Sequence, residues 1–170
     1  AIEHNIFTVG NYFYNGIGHF TVDYGKVLSV GYKGIIEEVK AAYEKIDVSD
    51  ADYASRSAFL QAVIISCEAV INYADRYAAL AKEMAAAEND ASRREELLKI
   101  AANCSRVPRY GAESFYEACQ SFWFIQMLLQ VESSGHSISP GRFDQYMNPY
   151  LQKDLSAGKV TREFAQELVD

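Results

Sequence analysis

The sequence is as informative in what it lacks as in what it holds. No run of eighteen apolar residues occurs, so no segment reads as a membrane-spanning helix, and the first residues lack the basic and apolar pattern of a secretory leader. Basic charge is short: 16 Lys and Arg stand against 23 Asp and Glu, for a net charge of −7. That balance argues against a nucleic-acid partner, which needs clustered cations to meet the phosphates. There is no CxxC pair. The three cysteines, Cys67, Cys104 and Cys119, are odd in number and far apart in apolar surroundings, and they read as reduced, buried, cytoplasmic thiols, with no suggestion of zinc or disulfide exchange. The HExxH pair, the P-loop, a GxGxxG turn after a strand and the GxSxG nucleophile elbow are all missing. Internal repeats, heptad runs and low-complexity tracts are missing too.

What is present fits one ordinary domain. Across 170 residues, 49% are hydrophobic and 23% charged, the balance of a globular chain able to bury a sizeable core. The fold class read from periodicity is mainly α. Helices are expected near 24–46, 50–88, 92–104 and 112–132, with a further helix over 143–155 kinked at Pro149 and ended by Gly158. Thr161 to Asp170 reads as a helix cut in mid-course, which makes the chain look like a fragment. Asp23 is a plausible N-cap for the first of these helices. Gly25, Gly31 and Gly34 interrupt its apolar stripe and are expected to allow close helix contact. Phe59, Val63, Ile64, Cys67, Val70, Ile71, Ala74 and Ala78 recur at spacings of three and four, marking the buried face of the second helix. The helix from Ala112 to Val131 is apolar nearly all round, so it should lie centrally in the core. An early helix could run to about Asn11, followed by irregular backbone at Gly16 and Gly18.

Two polar, glycine-bounded breaks interrupt this packing material. One runs through Asn15-Gly16-Ile17-Gly18-His19. The other is Glu132-Ser-Ser-Gly-His-Ser-Ile-Ser-Pro-Gly-Arg142, which leads into the charged aromatic turn Arg142-Phe143-Asp144-Gln145-Tyr146. Density of glycine and proline ends a helix near Ser133, and any β content should be short and lie near 133–141. Hydroxyls and an imidazole on a stiff support suit a site, and turn residues leaving a helix suit the same composition. His19 and His136 sit in these breaks, where a lone histidine is more often a satisfied structural residue. Residue by residue, the sequence reaches a helical cytosolic domain with two polar loops.

A resemblance goes further. Gly16-Ile-Gly-His19-Phe-Thr-Val-Asp23-Tyr-Gly-Lys-Val-Leu28, followed by Gly31-Tyr-Lys-Gly-Ile35, resembles a signature of the glycyl radical enzymes. Ala101-Ala-Asn-Cys-Ser-Arg-Val-Pro108, Phe115-Tyr-Glu-Ala-Cys-Gln-Ser-Phe-Trp123 and Gly135-His-Ser-Ile-Ser-Pro-Gly-Arg-Phe-Asp-Gln-Tyr146 match in kind and in order. The nearest type is the glycerol and diol dehydratase and choline trimethylamine-lyase branch of the pyruvate formate-lyase family. The resemblance implies that residues 1–170 are an internal part of a larger catalytic domain, truncated at both ends, and a multi-helix segment of that family's α/β barrel.

The resemblance also implies a chemistry. In the family an organic radical is stored on a glycine and passed to a cysteine, after being installed by a separate S-adenosylmethionine iron–sulfur activating enzyme. The cysteine lies in a Cys-Val-Glu type motif and the glycine in an Arg-Val-Ser-Gly-Tyr type motif. Neither motif occurs here, so no catalytic radical residue is assigned, no metal ligands are assigned, and the isolated chain is expected to be inactive. Substrate contacts carry over onto His19 and Ser137, with Asp23, Tyr14 and His136 standing behind them. The implied reaction is dehydration of a small diol such as glycerol or propane-1,2-diol. Formate acetyltransferase and choline-lyase activities are the alternatives within the family, and a non-catalytic helical scaffold is the alternative outside it. The implied partners are the diol, the activating enzyme and a second copy in a homodimer, with no nucleic acid and no membrane. The implied location is the cytoplasm or a bacterial microcompartment.

Overall fold

A computed structural model describes residues 20–133 and 137–170. Among these, six helices surround one short ladder: β1 (Phe20–Thr21), α1 (Tyr24–Tyr43), α2 (Tyr53–Ala87), α3 (Ala91–Arg106), α4 (Phe115–Glu132), β2 (Ile138–Ser139), α5 (Phe143–Ser156) and α6 (Arg162–Glu167). The mainly α expectation holds, and the short strand expected within 133–141 is β2. Its partner β1 was not anticipated. The two pair in parallel, Phe20 opposite Ile138 and Thr21 opposite Ser139. Two residues carry too weak a period to announce a strand. The early helix expected up to Asn11 lies outside the described residues.

Local chemistry sets the helix starts. Asp23 accepts from the Lys26 amide at 3.1 Å and Asp90 from the Arg93 amide at 2.8 Å. Ser114 accepts from the Glu117 amide at 3.2 Å and Thr161 from the Phe164 amide at 3.1 Å. Each satisfies a donor that the first turn leaves without a helical partner. Glu117 reaches back to the Glu113 amide at 2.7 Å, which makes the start of α4 a variant of the capping box.

α2 and α3 form an antiparallel hairpin, with α1 laid on α2 and α4 touching α1, α2, α3, α5 and β2. α4 is thus central, as expected, through Phe115, Ala118, Ser121, Phe124 and Ile125. It is not buried all round: Trp123 is 59% and Val131 74% exposed. The buried face of α2 also shifts from the expected one. Cys67, Ile71, Ala74 and Ala78 are buried, Val63, Ile64 and Val70 are half-buried, and Phe59 stands 67% exposed. Small residues, Ala74, Ala78, Ala81 and Ala85, are buried along α2, and Ala74 and Ala78 cluster with Cys104 of α3. By length and composition α2 could cross a bilayer. Asp75 on its flank instead pairs with Arg109 at 2.6 Å.

Of the glycines of α1, Gly31 meets a loop, while Gly25 faces Asp23 and Tyr146 of α5 and Gly34 faces Val30 of its own helix. Gly31 has φ 68° and ψ 173°, which breaks α1 in two. A Cβ there would run into the backbone of Arg109 and Tyr110, and one at Gly111 into the carbonyl of Ser29. The freed amides of Tyr32 and Lys33 donate to the carbonyls of Pro108 and Arg109, both at 2.9 Å, and the Ala112 amide donates to Leu28 O at 2.8 Å. The loop after α3 therefore replaces the hydrogen bonds that the break removes, as a buried backbone requires.

Candidate functional site

The polar break after α4 returns to the core as β2, and its backbone is held from several sides. Ser137 adopts φ 57°, the left-handed region that a residue with a Cβ enters only when its surroundings impose it. One residue later, the carbonyl of Ile138 accepts from Nε2 of Gln126 at 3.2 Å. Oε1 of the same amide accepts from the hydroxyl of Tyr24. At the far end of β2, Tyr146 donates to the Pro140 carbonyl at 2.8 Å. Gly141, with φ 67°, leaves the space that Thr21 fills.

Below the ladder lies an aromatic group. Tyr24 packs on Phe122 at 4.8 Å and stacks on Tyr146 at 5.4 Å, and Phe122 meets Phe143 edge-on at 5.1 Å. Burial pushes the Tyr24 and Tyr146 phenols up from their ordinary range, so both remain hydrogen-bond donors at neutral pH. Tyr24 is 1% exposed, which makes the hydroxyl's partner on Gln126 a requirement of folding.

Of the residues expected to form the site, Ser137 is half-buried at the head of β2. Asp23 is exposed and is used as the cap of α1. His19, Tyr14 and His136 lie outside the described residues. The ladder nevertheless fixes one relation. Phe20, which follows His19 in sequence, is the register partner of Ile138, which follows Ser137. The chain leaving His19 and the chain leaving Ser137 thus start out side by side.

The three cysteines differ in burial. All three are free thiols, Cys67 and Cys104 buried and Cys119 half-buried. Burial pushes Cys104 up to about 11 and Cys119 up to about 12, and Cys67 up as well, with Glu68 adding to it. None is a thiolate nucleophile at neutral pH. Among the described residues no group of three or more His, Cys, Asp or Glu is placed to hold a metal ion. The clefts along the helices are lined by other residues: one of 420 Å³ lies between Cys119, Trp123, Pro140 and Phe143, and one of 360 Å³ between Phe115, Asp144, Met147 and Gln166. Gln126, Tyr24 and Tyr146 are residues around this ladder that the sequence did not assign to the site. A glutamine in the middle of an apolar helix was the available signal, and periodicity alone counted it as packing.

Comparison with known proteins then decides the family. The family model described as pyruvate formate lyase-like matches residues 1–170. The chain belongs to the pyruvate formate lyase-like family. Among relatives, (2S)-3-sulfopropanediol dehydratase of Klebsiella oxytoca is 39% identical over 169 residues, covering 99% of this chain and 20% of that protein. Isethionate sulfite-lyase of Desulfovibrio desulfuricans is 43% identical over 150 residues, 87% of this chain and 18% of that protein. Two solved structures are more similar. One, from Roseburia inulinivorans and described for 1,2-propanediol dehydration, is 61% identical with a TM-score of 0.92, covering 99% of this chain and 20% of that one. The other is the glycerol-bound form of the B12-independent glycerol dehydratase from Clostridium butyricum, at 57% identity and a TM-score of 0.89, covering 95% of this chain and 20% of that one. The chain therefore spans about a fifth of the length of these family members, and its helices are a segment of that larger fold.

Proposed function

We propose that this segment supplies the diol-binding side chains of a glycyl radical dehydratase acting on a small 1,2-diol, propane-1,2-diol or glycerol. The observation that carries the reading is the parallel ladder, in which Phe20 pairs with Ile138 and the chains directly following His19 and Ser137 run together. The substrate class is supported by likeness. Identity reaches 61% and 57% with the structures described for 1,2-propanediol dehydration and for glycerol dehydratase, against 39% and 43% with the sulfopropanediol and isethionate relatives.

In this reading the imidazole of His19 hydrogen-bonds the departing hydroxyl and passes it a proton, so that it leaves as water. The Ser137 hydroxyl orients the other hydroxyl of the diol, and the strained backbone at φ 57° fixes where that hydroxyl points. Tyr14 and His136 support these two, and Asp23 does so through its cap on α1. The glycine and cysteine radical sites lie outside this sequence and supply hydrogen abstraction from the substrate. The net change, diol to aldehyde plus water, needs no external oxidant. A separate S-adenosylmethionine iron–sulfur enzyme installs the radical, and the whole protein works as a homodimer in the cytoplasm or a microcompartment.

The test uses a full-length protein carrying this segment, charged with its radical. Ser137→Ala and His19→Ala should each lower kcat/KM for propane-1,2-diol by at least about tenfold, the effect of leaving a substrate hydroxyl unpaired. Radical content by electron paramagnetic resonance should be unchanged. Wild-type turnover of the diol by both variants would refute the reading.

A further inference from the structure

We propose that Gln126 is the positioning residue for the Ser137 loop, acting through the Ile138 carbonyl and held in turn by the Tyr24 hydroxyl. This inference rests on the diol-binding role assigned above to Ser137.

The argument begins with what a primary amide can do. One end of Gln126 donates and the other accepts. The Ile138 carbonyl offers only lone pairs, so it takes the Nε2 end, at 3.2 Å. Oε1 then faces Tyr24, whose hydroxyl donates to it. A flip of the amide would break the bond to Ile138 by setting Oε1 against a carbonyl, whereas the Tyr24 hydroxyl could accept from Nε2, so the carbonyl is what fixes the orientation. The relay therefore has one direction and one geometry.

Its ends are anchored on different elements. Tyr24 opens α1 and is 1% exposed, clamped between Phe122 of α4 and Tyr146 of α5. Gln126 projects from α4 beside Ile125, which is also 1% exposed. Ile138 is 6% exposed and lies one residue beyond Ser137. A hydrogen bond to the carbonyl of residue 138 restrains the peptide that follows it, while the pairing of Ile138 with Phe20 restrains the strand itself. Tyr146 and Gly141 hold the other end of β2. What remains for Ser137 is the left-handed conformation it shows. Among the described residues, the Ser137 end of β2 would without the Gln126 bond be held by its two-residue pairing with β1, and a side chain set by a loose loop loses its aim.

The alternative is that Gln126 merely satisfies two buried polar groups. Both roles predict some loss of stability, so stability does not separate them. Coupling does: a residue that acts through Ser137 has nothing left to act on once the Ser137 hydroxyl is gone.

The experiment is a double-mutant cycle in the full-length protein. Gln126→Met keeps the length and apolar stem and removes both hydrogen bonds. It is combined with Ser137→Ala, and propane-1,2-diol is the probe. Two quantities are read: kcat/KM per radical, and the dissociation constant of the diol from the radical-free protein by calorimetry. Gln126→Met alone should weaken both by about tenfold, the factor that corresponds to 1.4 kcal/mol. In the Ser137→Ala background the same substitution should change both by less than about twofold. Tyr24→Phe keeps the ring and its stacking and removes only the donor at the far end; it should show the same coupling at smaller amplitude. If Gln126→Met does not fold, the Tyr24→Phe cycle decides the question alone. Equal losses in the two backgrounds, or wild-type binding and turnover by a folded Gln126→Met, would overturn the inference while leaving Ser137's own role intact. Wild-type turnover and diol binding by Ser137→Ala would instead remove Ser137 from the diol-binding reading, and this inference with it.

Discussion

The carboxylate of Asp154 accepts a hydrogen bond from the backbone amide of Phe115 at 2.7 Å, which ties the end of α5 to the first turn of α4. Asp154 is 3% exposed, and Oδ1 has no hydrogen-bond partner among the described residues. The contact places a negative group at the N-terminus of the central helix, where amides point outward and the helix field favours an anion.

Asp154→Ala should therefore lower stability by about 1–3 kcal/mol, because the Phe115 amide loses its acceptor. Asp154→Asn keeps an acceptor oxygen and should lose less. Urea unfolding followed by circular dichroism measures both. Equal stability of Asp154→Ala and wild type would mean that the bond contributes nothing.

Gly31 and Gly158 separate two costs of placing a side chain at positive φ. Both have positive φ, 68° and 64°, and Gly31 adds ψ 173°, a combination essentially closed to other residues. A Cβ at Gly31 meets the Arg109–Tyr110 backbone, and one at Gly158 meets nothing within 4 Å. Gly158→Ala should cost about 1 kcal/mol, the conformational penalty alone. Gly31→Ala should cost clearly more, since the loop that completes α1 must move away. Thermal denaturation of the two variants checks the order, and the reverse order would contradict the packing described.

The chain should lose stability in alkali. Cys104 is pushed up to about 11, and Cys119 and Tyr32 up to about 12, chiefly by burial. Their ordinary values are 9.0 for the thiols and 10.0 for the phenol. The folded state thus holds these protons more tightly than the unfolded chain does. The contribution is fully present below about pH 9 and declines as pH rises toward 12. The melting temperature should be flat from pH 7 to 8.5 and fall above that. Cys104→Ala and Cys119→Ala should flatten the fall, and an unchanged pH profile in the double variant would remove the thiols as its cause.

Thiol labelling reports the same burial at neutral pH. Cys67 and Cys104, at 5% and 3% exposed, should react with a bulky maleimide only on the timescale of opening. Cys119 borders an open cleft beside Trp123 and Phe143 and should react first. Fast labelling of all three in the native protein would contradict the helix packing.

The sequence by itself determined the helices. Apolar spacing of three and four residues, capping side chains at Asp23, Asp90, Ser114 and Thr161, and breaks at glycine and proline are local signals, and the bounds of α1 to α5 lie within a few residues of those expected. Motif order determined the family, because residue identities carry over even where their contacts are unknown. It could not determine which face of α2 is buried. Phe59 and Ile71 look alike in periodicity, and only the partners α1 and α3 make one exposed and the other core. Nor could it determine that Gly31 serves a loop rather than a helix, since the contact comes from residues far along the chain. The ladder between Phe20–Thr21 and Ile138–Ser139 is the clearest case. Two residues have no readable period, and a parallel pairing across more than a hundred residues depends on α1, α4 and α5 delivering both strands to one place. Gln126 gains its role in the same way: a polar residue in an apolar helix is only a mismatch until the fold brings Tyr24 and Ile138 to its two ends.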